Sequence, residues 1–176
     1  MEQEFHRIKR LPPYVFNEVN EMKARARAAG ADIIDFGMGN PDSATPPHIV
    51  EKMVETVNDP RTHRYSASRG IPGLRKAFAA YYQNRFNVEI DPDREAIVTL
   101  GSKEGLANLA SAITSPGDVI LVPNPSYPIH QFGFIIAGAA VRNVPVAPDQ
   151  EYMDALEKAV IHSVPKPTAV VLSYPN

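Results

Sequence analysis

A chain of 176 residues with 44% hydrophobic content has room for one domain, or one domain with an appendage, around a real core. Its 18 basic and 20 acidic residues are interspersed and nearly cancel at −2, which argues against nucleic acid or an anionic membrane as partner. The absence of cysteine excludes a disulfide framework and thiolate metal sites, and it is compatible with a cytoplasmic location.

The opening Met1-Glu-Gln-Glu-Phe-His-Arg7 lacks the apolar stretch of a secretory signal, and the longest apolar run, 132–141, is too short to span a bilayer. Residues 1–13 are polar and end in Leu11-Pro12-Pro13, which predicts an extended arm before Tyr14. A helix is expected over 17–29, with Val19, Met22 and Ala26 on one side and Gly30 as its stop. Ile33 to Phe36 reads as a short strand or extended segment entering Gly37-Met38-Gly39-Asn40-Pro41-Asp42. On composition that turn is first a surface turn and second a place where backbone approaches a ligand closely.

Thr45-Pro46-Pro47 opens a second helix whose apolar stripe is Ile49, Val50, Met53, Val54 and Val57, and Asn58-Asp59-Pro60 closes it. A polar loop over 61–73 carries a single aromatic residue, Tyr65, before another amphipathic helix marked by Leu74, Phe78, Tyr81 and Tyr82. From Glu95 the pattern becomes regular. It predicts strands at 97–100, 119–122, 140–146 and 169–173, and helices at 103–114, 129–137 and 151–161. Apolar strands alternating with helices imply a parallel sheet covered on both faces. The five histidines, at 6, 48, 63, 130 and 162, have no metal-ligand spacing, so no metal site is expected.

The stretch around which these elements are organised is Gly101-Ser102-Lys103-Glu104-Gly105, where a predicted strand turns straight into a helix. Taken alone it reads first as an ordinary helix cap and second as an anion seat. At a helix start the first amides lack intrahelical partners and the dipole end is positive, Ser102 offers a hydroxyl, and Lys103 adds charge. In a parallel sheet ligands gather at the carboxyl ends of the strands. Gly101-Ser102-Lys103, the loop 123–128 and the residues from Tyr174 all fall at such ends, which predicts one shared crevice.

Four motifs in order, Asp35-Phe-Gly-Met-Gly-Asn-Pro-Asp42, Tyr65-Ser-Ala-Ser-Arg-Gly70, Gly101-Ser-Lys-Glu-Gly105 and Asn124-Pro-Ser-Tyr-Pro128, resemble the N-terminal part of a fold-type I, class I/II pyridoxal-phosphate aminotransferase. Leu11-Pro-Pro-Tyr-Val-Phe16 and Asn124-Pro-Ser-Tyr-Pro-Ile-His130 bring it nearest to the bacterial glutamate–pyruvate (alanine) transaminase branch, beside the LL-diaminopimelate aminotransferases. The resemblance covers the whole chain and implies an α/β fold, a partial PLP-dependent transferase fold. Residues 1–60 would then be an arm and part of the small domain, and 61–176 the first part of the large cofactor-binding domain.

Position by position, the resemblance implies that the Gly39 backbone and Tyr14 lie on the substrate side. It implies that Tyr65 crosses a homodimer interface to the partner subunit's cofactor phosphate. Ser102 and Lys103 would cradle the phosphate of pyridoxal 5'-phosphate, and Tyr127 would stack on its ring. The substrates implied are an amino acid, L-alanine, and a 2-oxo acid, 2-oxoglutarate; aspartate, aromatic or diaminopimelate transamination is the alternative on the same scaffold.

The resemblance also implies that the Schiff-base lysine, the aspartate at the pyridine nitrogen and the carboxylate-clamping arginine lie beyond Asn176. No lysine of these 176 residues has the matching context, so no catalytic residue is assigned. A second reading follows, in which the chain as written is a catalytically incomplete cofactor-binding fragment. Strand 95–100 would be separated from the other strands by partners from the remaining half, leaving apolar strand edges exposed. A dinucleotide-binding dehydrogenase fits poorly, because Gly37-Met38-Gly39 leads into Asn40-Pro41 rather than a helix.

Overall fold

The computed structural model describes residues 5–37, 39, 41–146 and 151–173. Met38 and Asn40 of the glycine turn, the 147–149 link and the 174–176 segment expected at the crevice lie outside the described residues. The chain forms two compact units, Met1–Pro12 with Arg69–Asn176, and Pro13–Ser68.

In the first unit a parallel three-stranded sheet has the order β2-β1-β3, with β1 at Val119–Asn124, β2 at Ala140–Pro145 and β3 at Ala169–Val170. The β1–β2 register runs from Val119 opposite Ala140 to Asn124 opposite Pro145, and Ile120 faces Ala169 on the other side. β1 is buried from Val119 to Pro123, and its alternate side chains feed two separate cores. Ile120 and Val122 pack with Ala110 of α5 (Ser102–Ile113), Phe134 of α6 (Ile129–Ala137) and Ala139. Leu121 points to the opposite face and packs with Val144 and with Ala155 and Leu156 of α7 (Tyr152–His162).

That division follows from the winding. The crossover through α6 leaves β1 for one neighbour, and the crossover through α7 returns past β1 to the other. With equal handedness, reversing direction moves the covering helix to the opposite face. A continuous apolar run is therefore tolerated in β1, because neither face meets water. The reversal also makes the carboxyl end of β1 a switch point, the place where open α/β sheets gather ligands.

Three expectations need correction. Residues 97–100, expected from periodicity as a buried strand, join no ladder among the described residues, in line with the separation that the resemblance implied; Ile97 is 63% and Leu100 92% exposed. Apolar composition alone cannot bury a strand that lacks lateral neighbours, and among the described residues the segment's backbone–backbone tie to the unit is one bond from Val98 N–H to Arg69 O, 3.2 Å. The expected strand 169–173 likewise forms a ladder only at Ala169–Val170, and Leu172 is exposed. The arm is also not wholly extended. α1 (His6–Lys9) makes one helical turn against α6, and Arg10 Nη2 donates to Ala139 O at 3.1 Å.

α4 (Pro72–Phe86) belongs to the same unit, starts on proline and ends on Asn87 in the left-handed region at φ 54°. The second unit holds α2 (Val15–Ala28), α3 (Pro47–Val57) and a 3-10 turn at Pro60–Thr62. Among the described residues no helix is long and apolar enough to cross a membrane.

Candidate functional site

The start of α5 is built by a reversal that a side chain would resist. Gly101 occupies the cap position at φ 91°, ψ 159°, so Ser102 is the first helical residue and not the cap. Thr99 Oγ1 donates to Gly101 O at 3.0 Å, Gly105 N–H closes on the same carbonyl at 3.2 Å, and the Glu104 carboxylate accepts from Leu100 N–H. Glu104 thus reaches back across the turn in the manner of a capping box, which spends its charge on the backbone behind the helix. The amides of Ser102 and Lys103 have no intrahelical acceptor by geometry. Both side chains are exposed, and a Cβ placed on Gly101 would meet open space, so an anion can approach the turn closely.

The second wall comes from the end of β1. After Asn124 the chain turns through 125–128 into α6, and His130 N–H donates to Tyr127 O at 3.0 Å. Lys103 Nζ lies 5.3 Å from the centroid of the Tyr127 ring, a cation on an aromatic face. The His130 ring meets Tyr127 edge-on at 6.2 Å and 70°. Two elements distant in sequence, the α5 start and the β1–α6 turn, therefore converge at the carboxyl end of β1. Ser126 Oγ and His130 Nδ1 beside them are buried without a hydrogen-bond partner among the described residues.

Ser102, Lys103 and Tyr127 belong to the sheet unit, whereas Tyr14, Gly39 and Tyr65 belong to the other. There Tyr14 is half exposed with its ring 5.4 Å from Phe16, and Tyr65 is fully exposed beside His63 and Arg64. Gly39 is exposed with open space around it, and the turn before it is pinned. Asp35 accepts from Lys23 Nζ and from Gly37 N–H, each at 2.9 Å. The Lys23 ammonium, and then the Gly37 amide, hold the Asp35 carboxyl below its usual range.

Sequence reasoning did not single out Arg75, which is only 7% exposed. Its Nε donates to Pro92 O at 2.8 Å, Nη1 to Gly70 O, and Nη2 to Asp93 Oδ1 at 2.7 Å. The signal was available: Arg75 shares a helix face with Phe78 and Tyr82, an apolar stripe on which a lone cation needs partners. Ser126 and His130 were also passed over, as members of a motif with no role of their own.

A helix start, a hydroxyl, an ammonium and an aromatic face make a donor set that fits a phosphate ester joined to a flat ring. The family model for aminotransferase class I and II matches residues 31–176. The chain is 62% identical over 174 residues to the putative aminotransferase AatC of Rhizobium meliloti, covering 99% of this chain and 43% of that protein. It is 58% identical over 175 residues to the glutamate-pyruvate aminotransferase AlaC of Escherichia coli, covering 99% of this chain and 42% of that protein. The solved Thermus thermophilus aspartate aminotransferase single mutant 1 superposes with a TM-score of 0.88 at 28% identity, over 100% of this chain and 46% of that one. The chain thus spans under half the length of the relatives it matches.

Proposed function

The chain belongs to the aminotransferase class I and II family, and from that premise we propose that, at the full length of its relatives, it moves an amino group between L-alanine and 2-oxoglutarate with pyridoxal 5'-phosphate. Members of the family are generally pyridoxal-phosphate enzymes acting on amino and 2-oxo acids. The alanine reading is supported by the 58% identity to a relative named as a glutamate-pyruvate aminotransferase. One observation carries the cofactor reading: Lys103 of the α5 start lies over the ring of Tyr127 at the switch point of the sheet.

In this reading the Ser102 hydroxyl, the first α5 amides and the Lys103 ammonium hold the phosphate, whose charge the helix dipole favours. The Tyr127 ring stacks on the pyridine and fixes its plane. The Gly39 backbone meets the α-carboxylate of the amino acid, Tyr14 lies on the substrate side, and Tyr65 reaches the phosphate held by a second copy in a homodimer. Bound pyridoxal phosphate supplies the electron sink for the carbanion formed at Cα. These residues bind and orient; the 176 residues assign none of their own to the proton transfer, so the chain alone is expected to bind without turnover.

The test is a donor panel on the full-length protein, with L-alanine, L-aspartate, an aromatic amino acid and LL-diaminopimelate each offered with 2-oxoglutarate. Glutamate formed fastest from alanine supports the reading. Glutamate formed from aspartate and not alanine would move the protein to the activity named for the Thermus structure, and none from any donor would remove the transaminase reading.

A further inference from the structure

The 96–101 segment delivers Ser102 and Lys103 to the crevice, yet among the described residues no strand flanks it. Within these residues it is the Arg69-Gly70 backbone that holds it. Val98 N–H donates to Arg69 O at 3.2 Å, and the next residue, Gly70 at φ 82°, lies so close to Val98 that a Cβ there would overlap its side chain. The segment therefore rests directly on the Arg69-Gly70 backbone.

That backbone is in turn gripped by one buried guanidinium. Arg75 donates to Gly70 O, and its other two nitrogens hold Pro92 O and the Asp93 carboxylate on the turn that precedes the 96–101 segment. Arg69 Nη2 adds a bond to Asp93 O, so both ends of the contact converge on the same turn. Along the chain Gly70 also ends the loop that begins at Tyr65. A single planar cation with fixed donor directions thus sets the backbone on which the helix start depends, a task that a flexible ammonium or a neutral amide performs poorly.

We propose that Arg75 is a positioning residue for the phosphate seat. Its guanidinium locks Gly70 against Val98 and so places the first amides of α5, Ser102 and Lys103 where a phosphate monoester is bound. The proposal rests on the cofactor reading above and adds to it a residue that touches neither cofactor nor substrate.

The seat recognises the phosphate and not the ring, so the two contributions separate experimentally. In the full-length protein, the dissociation constants of pyridoxal 5'-phosphate and of pyridoxal, which lacks the phosphate, are measured by absorbance and near-UV circular dichroism for wild type, R75K and R75Q. R75Q is expected to weaken pyridoxal phosphate by about tenfold or more while changing pyridoxal by less than about twofold, with R75K between wild type and R75Q. A residue serving stability alone would lower the melting temperature and weaken both ligands in proportion; that result, or no change in either, overturns the proposal and leaves the cofactor reading standing. Wild-type protein that binds neither ligand overturns both. Should R75Q fail to fold, the ratio of the two constants in R75K decides alone: a shift against the phosphorylated ligand supports the proposal and an unchanged ratio overturns it.

Discussion

The two stretches Val119–Asn124 and 96–101 are composed alike, Val-Ile-Leu-Val against Ala-Ile-Val-Thr-Leu, and their fates differ completely. β1 has a parallel neighbour on each side and a helix layer on each face, and its apolar residues are almost wholly buried. Among the described residues the 97–100 stretch has one backbone–backbone bond and the press of Gly70, and it leaves Ile97 and Leu100 in solvent. An apolar run records a need for burial; lateral and facial neighbours decide whether that need is met. The poorly covered stretch is the one that leads into the site, while the well covered one carries the stability on which the crevice is built.

Substitutions should separate the two most sharply in β1. Val122→Asp buries an unpaired carboxylate in the core under α5 and α6 and should leave no cooperative unfolding transition in urea. Phe134→Ala opens the core on one face of β1 and is expected to cost about 3–5 kcal/mol in the same measurement. In the 176-residue chain Leu100→Ala, at a site already in water, should stay within about 0.5 kcal/mol of wild type. Equal losses at Phe134 and Leu100 would mean that the segment is covered in solution, and the contrast with β1 would dissolve.

How much was legible follows from the same contrast. The β1–α6–β2–α7 succession was readable because each helix repeats its apolar residues at helical spacing and each strand is bounded by glycine or proline. Leu156 and Ala159 of α7, for example, face the sheet as their spacing demands. The convergence of Lys103 on Tyr127 was readable in outline, since both follow apolar runs, although the cap proved to be Gly101 and not Ser102. The isolation of 97–100 was not readable from periodicity, because a strand's neighbours are written elsewhere in the chain; only the resemblance, which separates that strand from the others, implied it. Arg75 was missed for a related reason: a charged residue in an amphipathic helix reads as solvated until three acceptors from distant backbone are seen around it.

At the junction of the two regions, Gly101→Ala should act on both stability and binding. Alanine at φ 91° costs about 1–2 kcal/mol by backbone strain, and relief by rotation would redirect the Ser102 and Lys103 amides. A melting-temperature drop with pyridoxal-phosphate affinity unchanged would show that the turn matters only for folding.

The smallest effect, and the most local, is a pH dependence. The Arg75 guanidinium, bonded to the carboxylate, holds Asp93 below the usual carboxylate range. Its folded-state value lies under its unfolded one, so the contribution is complete above about pH 4, the ordinary aspartate value, and is lost as pH falls through the lower folded one. Asp93→Asn should therefore be less stable than wild type by a constant margin near neutrality, with the two curves converging below about pH 4. Because Asp93 is largely exposed, added salt should narrow the margin further. Amide exchange gives the sharper reading: acidification should loosen the Val98 amide, which donates to Arg69 O, before the amides of β1 respond. Simultaneous loss of protection at Val98 and Leu121 would mean that one cooperative unit spans both stretches, and that the guanidinium holds the sheet as a whole and not the segment that leads to the site.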